Sequence, residues 1–594
     1  MPPTARQRRS SRRAEAGDNT DMRSECGPSG QRARLPIACA LGAATLIALI
    51  LRTYGTSVPF HSGDYASMPY MVSRWHGVAW ILAHIHGPLL PAMDWLFARA
   101  AVAVRLIMNE TMWRLPLALV GTLHVIVTYY LMRRLRAAAW TSLLAAALTA
   151  VLPLLTSDAR YPWGYETLAV CVGSLAIWAW LRDLDRPTWY GHWFAGGLLG
   201  LYLVSHLVIH AVPLVIAAAA LLRLGPRGGM RRLVHPSTIV PVALAAGCTF
   251  YAWFALHGGI VGRMSRHIGQ GTLNAGAYTF HDALRLGCQL VGPIWLTWCA
   301  VAVVVGLVLL ARRDRRGLPA LWAVVYAAPL MLLLNVNNIG RPAVYQVQWV
   351  YSGSLAGCIL LQVLVDGCRA WTPRPRAMAY AALGSFGLLM VTAHLLGSIS
   401  NLFRLPPWPA LTGTVDYGRM EPDPGFKAAA WYIRTYVPGD AVILATHGTT
   451  GMEYPLALYY LGRHVAAAED TTDAQECRII DGVRNDIDVA IVEPRFLERF
   501  SPTTGFTTPV RILRDGEPIL YIAARKGYEL RPMDVNVAGA DAEYDRAFPL
   551  RRVPSPITSL PRTASVNQRI LAILNETAGE RSGRALTATT AEHE

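Results

Sequence analysis

The sequence predicts a polytopic α-helical membrane protein of about eleven transmembrane helices, with a C-terminal extracytoplasmic α/β domain. Three observations predict it. Apolar residues make up 53% of the 594-residue chain and charged residues only 16%, against roughly 25% in an average soluble chain, so most of the apolar surface must face lipid. The arginines fall in short clusters between apolar runs, at Arg133-Arg134-Arg136, Arg182 to Arg186, Arg223 to Arg232, Arg312 to Arg316 and Arg369 to Arg376. That is the positive-inside pattern of cytoplasmic loops. After about residue 401 the long apolar runs stop and shorter helix and strand signals alternate.

Residues 1–34 are polar, basic and rich in Ser and Gly, and are expected to be disordered. No small-residue cleavage site follows the apolar run from Leu35 to Leu51, so the run is read as a retained first helix and not as a signal peptide. A crossing needs about 20 apolar residues. Eleven spans are read over residues 35–400, beginning near Leu35, Arg114, Ala137, Trp163, His192, Leu207, Pro236, Val291, Leu318, Trp349 and Met378. With Arg6, Arg8, Arg9, Arg12 and Arg13 cytoplasmic, this odd number puts every arginine cluster inside and the C-terminal domain outside.

The first external loop, 54–113, is too long for a simple connection. Met68, Met71, Trp75, Ala79 and Leu82 recur at helical spacing, as do Leu89, Met93, Leu96, Ala100 and Val104, on either side of the breaker His86-Gly87-Pro88. Two amphipathic helices in the interface fit this pattern; a short re-entrant hairpin is the alternative. A Pro-rich linker at 405–409 leads to a domain reaching residue 577. Helices are expected over 426–436 and 454–461 and strands over 441–445 and around Val465, and the segment 473–483 leads into the apolar run 489–492, continuing the alternation. A hairpin of 511–513 and 519–522 turns about Asp515-Gly516, giving a small α/β sandwich. Residues 578–594 are expected to fray.

The net charge of +16 is spread over successive loops, which argues against a nucleic-acid partner. The nine cysteines contain no CxxC pair, so neither a zinc site nor a disulfide framework is indicated. No Gly-rich phosphate loop occurs, which argues against a nucleotide site.

Asp64, in Phe60-His61-Ser62-Gly63-Asp64-Tyr65, follows the first span and faces the far side of the membrane. An acid at that boundary is costly to hold and tends to be functional. It reads either as a general base or as a helix N-cap. Thr156 to Tyr161 forms a short external turn carrying Asp158, Arg160 and Tyr161. It is either a helix-capping ion pair or half of a site in which Arg160 binds phosphate. Asn335 to Tyr345 is a polar external loop whose Arg341 breaks the positive-inside rule. That arginine needs an anionic partner, a donor phosphate or an ordinary lipid headgroup. His206 and His210 have metal-ligand spacing but no carboxylate partner, so hydrogen-bonding core histidines are the favoured reading, as for His84 and His86.

Taken in order, Asp64-Tyr65-Ala66, His86-Gly87-Pro88-Leu89, Trp113-Arg114-Leu115-Pro116 with Arg133-Arg134-Leu135, and Ser157-Asp158-Ala159-Arg160-Tyr161 resemble the N-terminal module of the GT-C membrane glycosyltransferases. The resemblance is to the protein O-mannosyltransferase and aminoarabinose–lipid A transferase branch and covers roughly residues 35–185; Arg341 to Tyr351 resembles a later loop of that branch. Tyr65 stands where the branch commonly has a second acid, and Gly87 where it often has Pro.

The resemblance implies a GT-C-like fold in the plasma membrane and inverting transfer of a hexosyl or pentosyl group. The donor would be a polyprenyl-phosphate sugar and the acceptor an extracytoplasmic glycan, lipid or protein. Asp64 would be the base, and Arg160 and Arg341 would bind the donor phosphate. Asp158, Tyr345, His86 and His61 would contact substrate. No cofactor is expected, since Tyr65 leaves the first loop without a carboxylate pair for a divalent metal. Two other readings remain: an inactive envelope-assembly scaffold, prompted by the missing acid, and a transporter, disfavoured by the lack of an internal repeat.

Overall fold

The computed structural model describes residues 28–60, 87–162, 164–205, 210–257, 280–337, 346–403, 405, 413, 423–446, 459–467, 472–549 and 560–591. Its membrane part contains helices α1 (Pro28–Thr53), α2 (Leu89–Ala103), α3 (Glu110–Arg134), α4 (Ala139–Val151), α5 (Pro153–Asp158), α6 (Tyr165–Asp185) and α7 (Trp189–Leu203). It continues with α8 (Val212–Leu233), α9 (Pro236–His257), α10 (Phe280–Val291), α11 (Pro293–Ala311), α12 (Leu318–Asn337), α13 (Val347–Gly367) and α14 (Pro373–Phe403). Every one of the eleven expected spans coincides with a helix among these. Seven described helices are long and apolar enough to cross a bilayer unaided.

Two interruptions in the helices have local causes. Pro153 has no N–H to continue the helical ladder, so α4 stops at Val151 and restarts as α5. Gly225 (φ +73°) followed by Pro226 breaks α8 near its C-terminal end. Helix α1 begins at Pro28, ahead of the expected start at Leu35, and α12 takes in Asn335 to Asn337, which were expected to lie in a loop.

Helix α2 lies where the second helix of the first loop is expected, but it buries a different face. Leu96 and Val104 are 61% and 68% exposed, whereas Leu90, Asp94, Ala98 and Ala101 are buried. The segment is apolar nearly all round, so periodicity alone cannot fix its rotation. The rotation is set by docking, in which the Leu89 N–H donates to the Val204 carbonyl (3.2 Å). Gly87 sits at φ +122°, with the Val204 carbonyl 2.7 Å from where a Cβ would lie. Proline, fixed near φ −65°, is excluded there, which accounts for the glycine. The first expected helix, 68–82, lies outside the described residues.

Lacking a hydrophobic drive between spans, membrane helices gain from close approach at small residues. In α7, a Cβ on Gly196 would lie 1.8 Å from the Ser237 carbonyl, and one on Gly200 would lie 2.9 Å from the Pro241 carbonyl. Helices α7 and α9 therefore meet backbone to backbone.

The C-terminal domain has one mixed sheet in the order β1-β2-β4-β3-β5. Its strands are β1 (Ile443–Ala445), β2 (Val489–Val492), β3 (Phe506–Arg514), β4 (Glu517–Arg525) and β5 (Met533–Asn536). β1 runs parallel to β2 and β5 parallel to β3, while β4 is antiparallel to both neighbours. Asp515 (φ +53°) and Gly516 (φ +86°) form the expected tight turn, whose mirror-image geometry suits strand twist. The hairpin strands extend well beyond the expected 511–513 and 519–522. Ile443, Ala445, Val489 and Ile491 face a layer formed by α15 (Phe426–Tyr436) and α17 (Val537–Ala547). Val442, Leu444, Ala490 and Val492 face α16 (Asp473–Val483) and α18 (Pro561–Ala591). This period-2 division makes a helix–sheet–helix sandwich. Residues beyond 578, expected to fray, continue α18 to Ala591. The helix expected over 454–461 is described only from Tyr459 to Leu461, and the strand near Val465 is a single bridge between Leu444 and Ala466.

Candidate active site

Three buried arginines gather where the chain leaves α1, one bonding the end of α4 and two the departing chain itself. Thr149 O would normally accept from the N–H four residues on, but that residue is Pro153; Arg52 supplies the donor instead, through Nη2 (2.9 Å), while its Nη1 donates to Ala150 O (3.0 Å). Arg160 Nη1 donates to Leu51 O (2.9 Å) and Tyr54 O (2.6 Å), placing a cation at the C-terminal end of the α1 dipole. Arg114 Nη1 donates to Thr56 O (2.5 Å) and Val58 O (2.6 Å), and its guanidinium lies 4.8 Å from the Phe60 ring centroid. Helix α3 comes close enough for this corner because Gly121 has no Cβ, which would sit 2.7 Å from Ala159 Cβ. The chain from Leu51 to Phe60, which leads to Asp64, is thus held at four carbonyls.

Asp158 caps α6 from outside the helix. Its Oδ2 accepts from the Thr167 N–H (2.7 Å) and Thr167 Oγ1 (2.6 Å), satisfying an otherwise unbonded first-turn N–H and meeting the positive end of the dipole. One residue before Thr167, Glu166 is fully buried and accepts from Tyr326 Oη (2.8 Å) and Gln348 Nε2 (2.8 Å). Gln348 Oε1 in turn accepts from Tyr202 Oη (3.1 Å). Glu166 therefore joins the Asp158–Arg160 corner to the first turn of α13, immediately after the segment holding Arg341 and Tyr345. Asn401 Nδ2 donates to Ser157 Oγ (2.6 Å), bringing the end of α14 to the same place.

The sheet domain closes over this end of the bundle. Buried Glu110, at the start of α3, accepts from Lys427 Nζ (3.1 Å) and from Tyr460 Oη (2.9 Å), and Tyr460 Oη also receives the Phe60 N–H (2.8 Å). Lys427 pairs with Asp545 at 2.8 Å as well. Burial opposes the Lys427 charge, but Glu110 and Asp545 outweigh it and hold the ammonium above its usual range. Nearby, burial and the neighbouring Asp423 carboxyl push Asp541 up to about 10.

Of the residues expected to act, Asp158 and Arg160 fall in this corner, with direct roles in holding two helix ends. Asp64, His61, His86, Arg341 and Tyr345 lie outside the described residues, as do Tyr65 and His206. His210 packs edge-on against Tyr202, with ring centroids 5.8 Å apart. Among the described residues no three His, Cys, Asp or Glu side chains gather where a metal ion could be held. Sequence reasoning missed Glu110, Glu166 and Lys427. An acid inside an apolar run was the available signal for Glu166; Lys427 finds Glu110 from 317 positions away, which no local pattern reveals.

No protein-family model and no curated protein matches the sequence. Solved structures match the fold. ArnT from Cupriavidus metallidurans, bound to undecaprenyl phosphate, aligns over 84% of this chain and 98% of that one, with a TM-score of 0.50 at 15% identity. The archaeal oligosaccharyltransferase AglB from Archaeoglobus fulgidus, in complex with an inhibitory peptide and a dolichol-phosphate, aligns over 78% and 70%, with a TM-score of 0.46 at 12% identity. Arabinofuranosyltransferase AftD from Mycobacteria aligns over 83% and 40%, with a TM-score of 0.45 at 16% identity. The alignment with nearly the whole of ArnT gives the chain the GT-C-like fold expected from its N-terminal motifs.

Proposed function

We propose that the protein is an inverting glycosyltransferase that moves a sugar from a polyprenyl-phosphate donor to an extracytoplasmic acceptor. The observation that carries this reading is a convergence. The start of the first loop, the Asp158–Arg160 turn and the helix following Arg341 and Tyr345 come together at one end of the bundle, under the sheet domain. Asp64 is four residues beyond Phe60, and four residues span at most about 14 Å. The structure of like fold, ArnT, holds undecaprenyl phosphate, a ligand of the proposed donor class.

In this reading the acceptor hydroxyl oxygen attacks the anomeric carbon as the bond from that carbon to the donor phosphate oxygen breaks. The hydroxyl proton passes to the Asp64 carboxylate. The polyprenyl phosphate leaves with the bonding electrons, and the configuration at the anomeric carbon inverts. Arg341 and Arg160 supply fixed positive charge to the developing phosphate anion. His61, His86, Asp158 and Tyr345 line the route of donor and acceptor. The N-terminus lies in the cytoplasm and the sheet domain outside the plasma membrane, where it covers the site.

Transfer of labelled sugar from purified polyprenyl-phosphate donors by the full chain tests the reading. Asp64→Asn keeps size and capping ability, so the variant should fold and bind donor near wild type. Its transfer rate should fall by at least about 10²-fold, the lower range for a lost general base. Near-normal transfer by folded Asp64→Asn protein returns Asp64 to a capping role. A folded wild type inert with every polyprenyl-phosphate sugar leaves the chain as an assembly scaffold.

A further inference from the structure

Among the described residues a dense cluster of arginines lies far from this site, at the opposite end of the bundle. A cavity of about 450 Å³ opens between the ends of α3 and α6, the middle of α8 and the turn joining α11 to α12. Its wall carries Arg136, Arg223, Arg312, Arg313, Arg315 and Arg316, against the carboxylates of Asp185 and Asp314. Helix α3, with 25 residues, separates it from the Glu110 junction by about 37 Å at 1.5 Å per residue, so it cannot hold the phosphate of a donor bound near Arg160.

Both carboxylates are already engaged. Asp185 accepts from Arg315 Nη1 at 3.1 and 3.0 Å, with Arg223 3.8 Å away. Asp314 Oδ2 accepts from Arg316 Nε at 2.8 Å. Arg312 and Arg313 are exposed and form no ion pair with a carboxylate among the described residues. Guanidinium groups gathered in such excess repel one another unless an anion joins them.

The backbone adds a second observation. Arg136 (φ +64°) and Arg313 (φ +61°) occupy the left-handed position that ends a helix. The N–H groups of the following residues, Ala137 and Asp314, reach back to Met132 O (3.0 Å) and Leu309 O (2.9 Å). Glycine is the usual residue there, and a side chain costs about 1 kcal/mol. Arg105 shares the conformation at the other end of the bundle (φ +63°), so it is the shared address of Arg136 and Arg313 that matters. Two strained positions contribute arginines to one cavity.

The wall is charged for the most part, with one aliphatic side. Leu181 and Leu184 of α6 and Leu222 of α8 line it, and Leu221 and Leu224 beside it on α8 are 38% and 44% exposed, on a helix apolar enough to cross a bilayer. An inorganic phosphate has no use for that side, whereas the glycerol and first methylenes of a lipid do. Basic pockets between helices at a membrane boundary are suited to polyanionic headgroups.

We propose that this cavity is a binding site for an anionic phospholipid whose headgroup carries more than one phosphate, held by the guanidinium groups of Arg136, Arg223, Arg312 and Arg313 with its chains against α6 and α8. The full-length protein in detergent, titrated with cardiolipin, phosphatidylglycerol, phosphatidylcholine or inorganic pyrophosphate and read by native mass spectrometry, tests this. Cardiolipin should be retained at least about tenfold more tightly than phosphatidylcholine, with phosphatidylglycerol between them. Arg312→Glu with Arg313→Glu, changes at exposed positions, should remove that preference while the thermal melting of the lipid-free protein stays unchanged. Arg531→Glu in the sheet domain should leave it intact. Pyrophosphate that displaces cardiolipin with equal affinity assigns the cavity to a soluble phosphate and overturns the proposal. So does cardiolipin retention by the double variant equal to wild type. If the double variant misfolds, Arg312→Gln with Arg313→Gln removes both charges with less disturbance and is held to the same two outcomes.

Discussion

Arg160 holds the backbone at the end of α1. Its Nη1 bonds two carbonyls at the end of α1 while only 5% of the residue is exposed. Replacement by Met leaves both carbonyls without this donor and should destabilise the protein by about 2 kcal/mol, the range for bonds to a charged partner. Lysine keeps the charge but not the planar fork, so Arg160→Lys should recover only part of the stability. Thermal inactivation of purified protein measures both. Donor affinity measured alongside separates structure from recognition. If Arg160 also faces the donor phosphate, the lysine variant binds donor better than the methionine variant at temperatures where both are folded. Equal affinities would leave Arg160 with the carbonyls alone. Asp158 has the corresponding duty for α6, so substitution there also acts through a helix end.

At the scale of elements, backbone-to-backbone contact of α7 and α9 makes a sharp prediction. With the Ser237 carbonyl 1.8 Å from any Cβ at position 196, Gly196→Leu must part the two helices, and a loss of at least about 2 kcal/mol is expected, as for overpacked sites. Gly197→Leu, where no atom lies within 4 Å, is the matched control and should melt like wild type. The sheet domain carries a pH dependence of its own. Asp541, raised to about 10 from an ordinary 3.8, holds its proton in the folded state over a range where the unfolded chain releases it. Its stabilising contribution is therefore complete below about pH 4 and is lost progressively as pH rises toward 10. Lys427, also raised, keeps its contribution through that range and loses it only above the usual lysine value. Asp541→Asn should consequently flatten the fall in melting temperature between pH 5 and pH 9. An unchanged slope would mean that Asp541 titrates normally.

For the whole molecule, the two ends of the bundle are chemically distinct. The Glu110 end of α3 bonds Lys427 of the sheet domain, and the Arg134 end leads to the arginine-lined cavity. Hydropathy and loop charge predict that these ends face opposite sides of the membrane, and the geometry separates the same two groups of residues without using charge at all. Reporter fusions at Gly579, in the last helix of the sheet domain, and at Arg313, in the cavity, should give opposite signals. The same signal from both would overturn the topology and the extracytoplasmic placement of the sheet domain together.

Helix positions were legible in the sequence because a bilayer demands long apolar runs and marks one side of them with arginine. The strands of the sheet domain were legible for the related reason that β1 and β2, buried on both faces, are short unbroken apolar runs. The face buried by α2 was not legible, since a helix apolar nearly all round carries little rotational information, and its one acid, Asp94, lies on the buried face. The roles of Arg52, Arg114 and Arg160 were hidden for another reason. Each bonds a carbonyl, a group every residue has, so no side-chain pattern in the sequence marks the partner. Glu110 with Lys427, and Glu166 with Gln348, meet across 317 and 182 positions. Local sequence names the charges and amides that a buried environment obliges to pair; only the packing of distant helices decides which of them do.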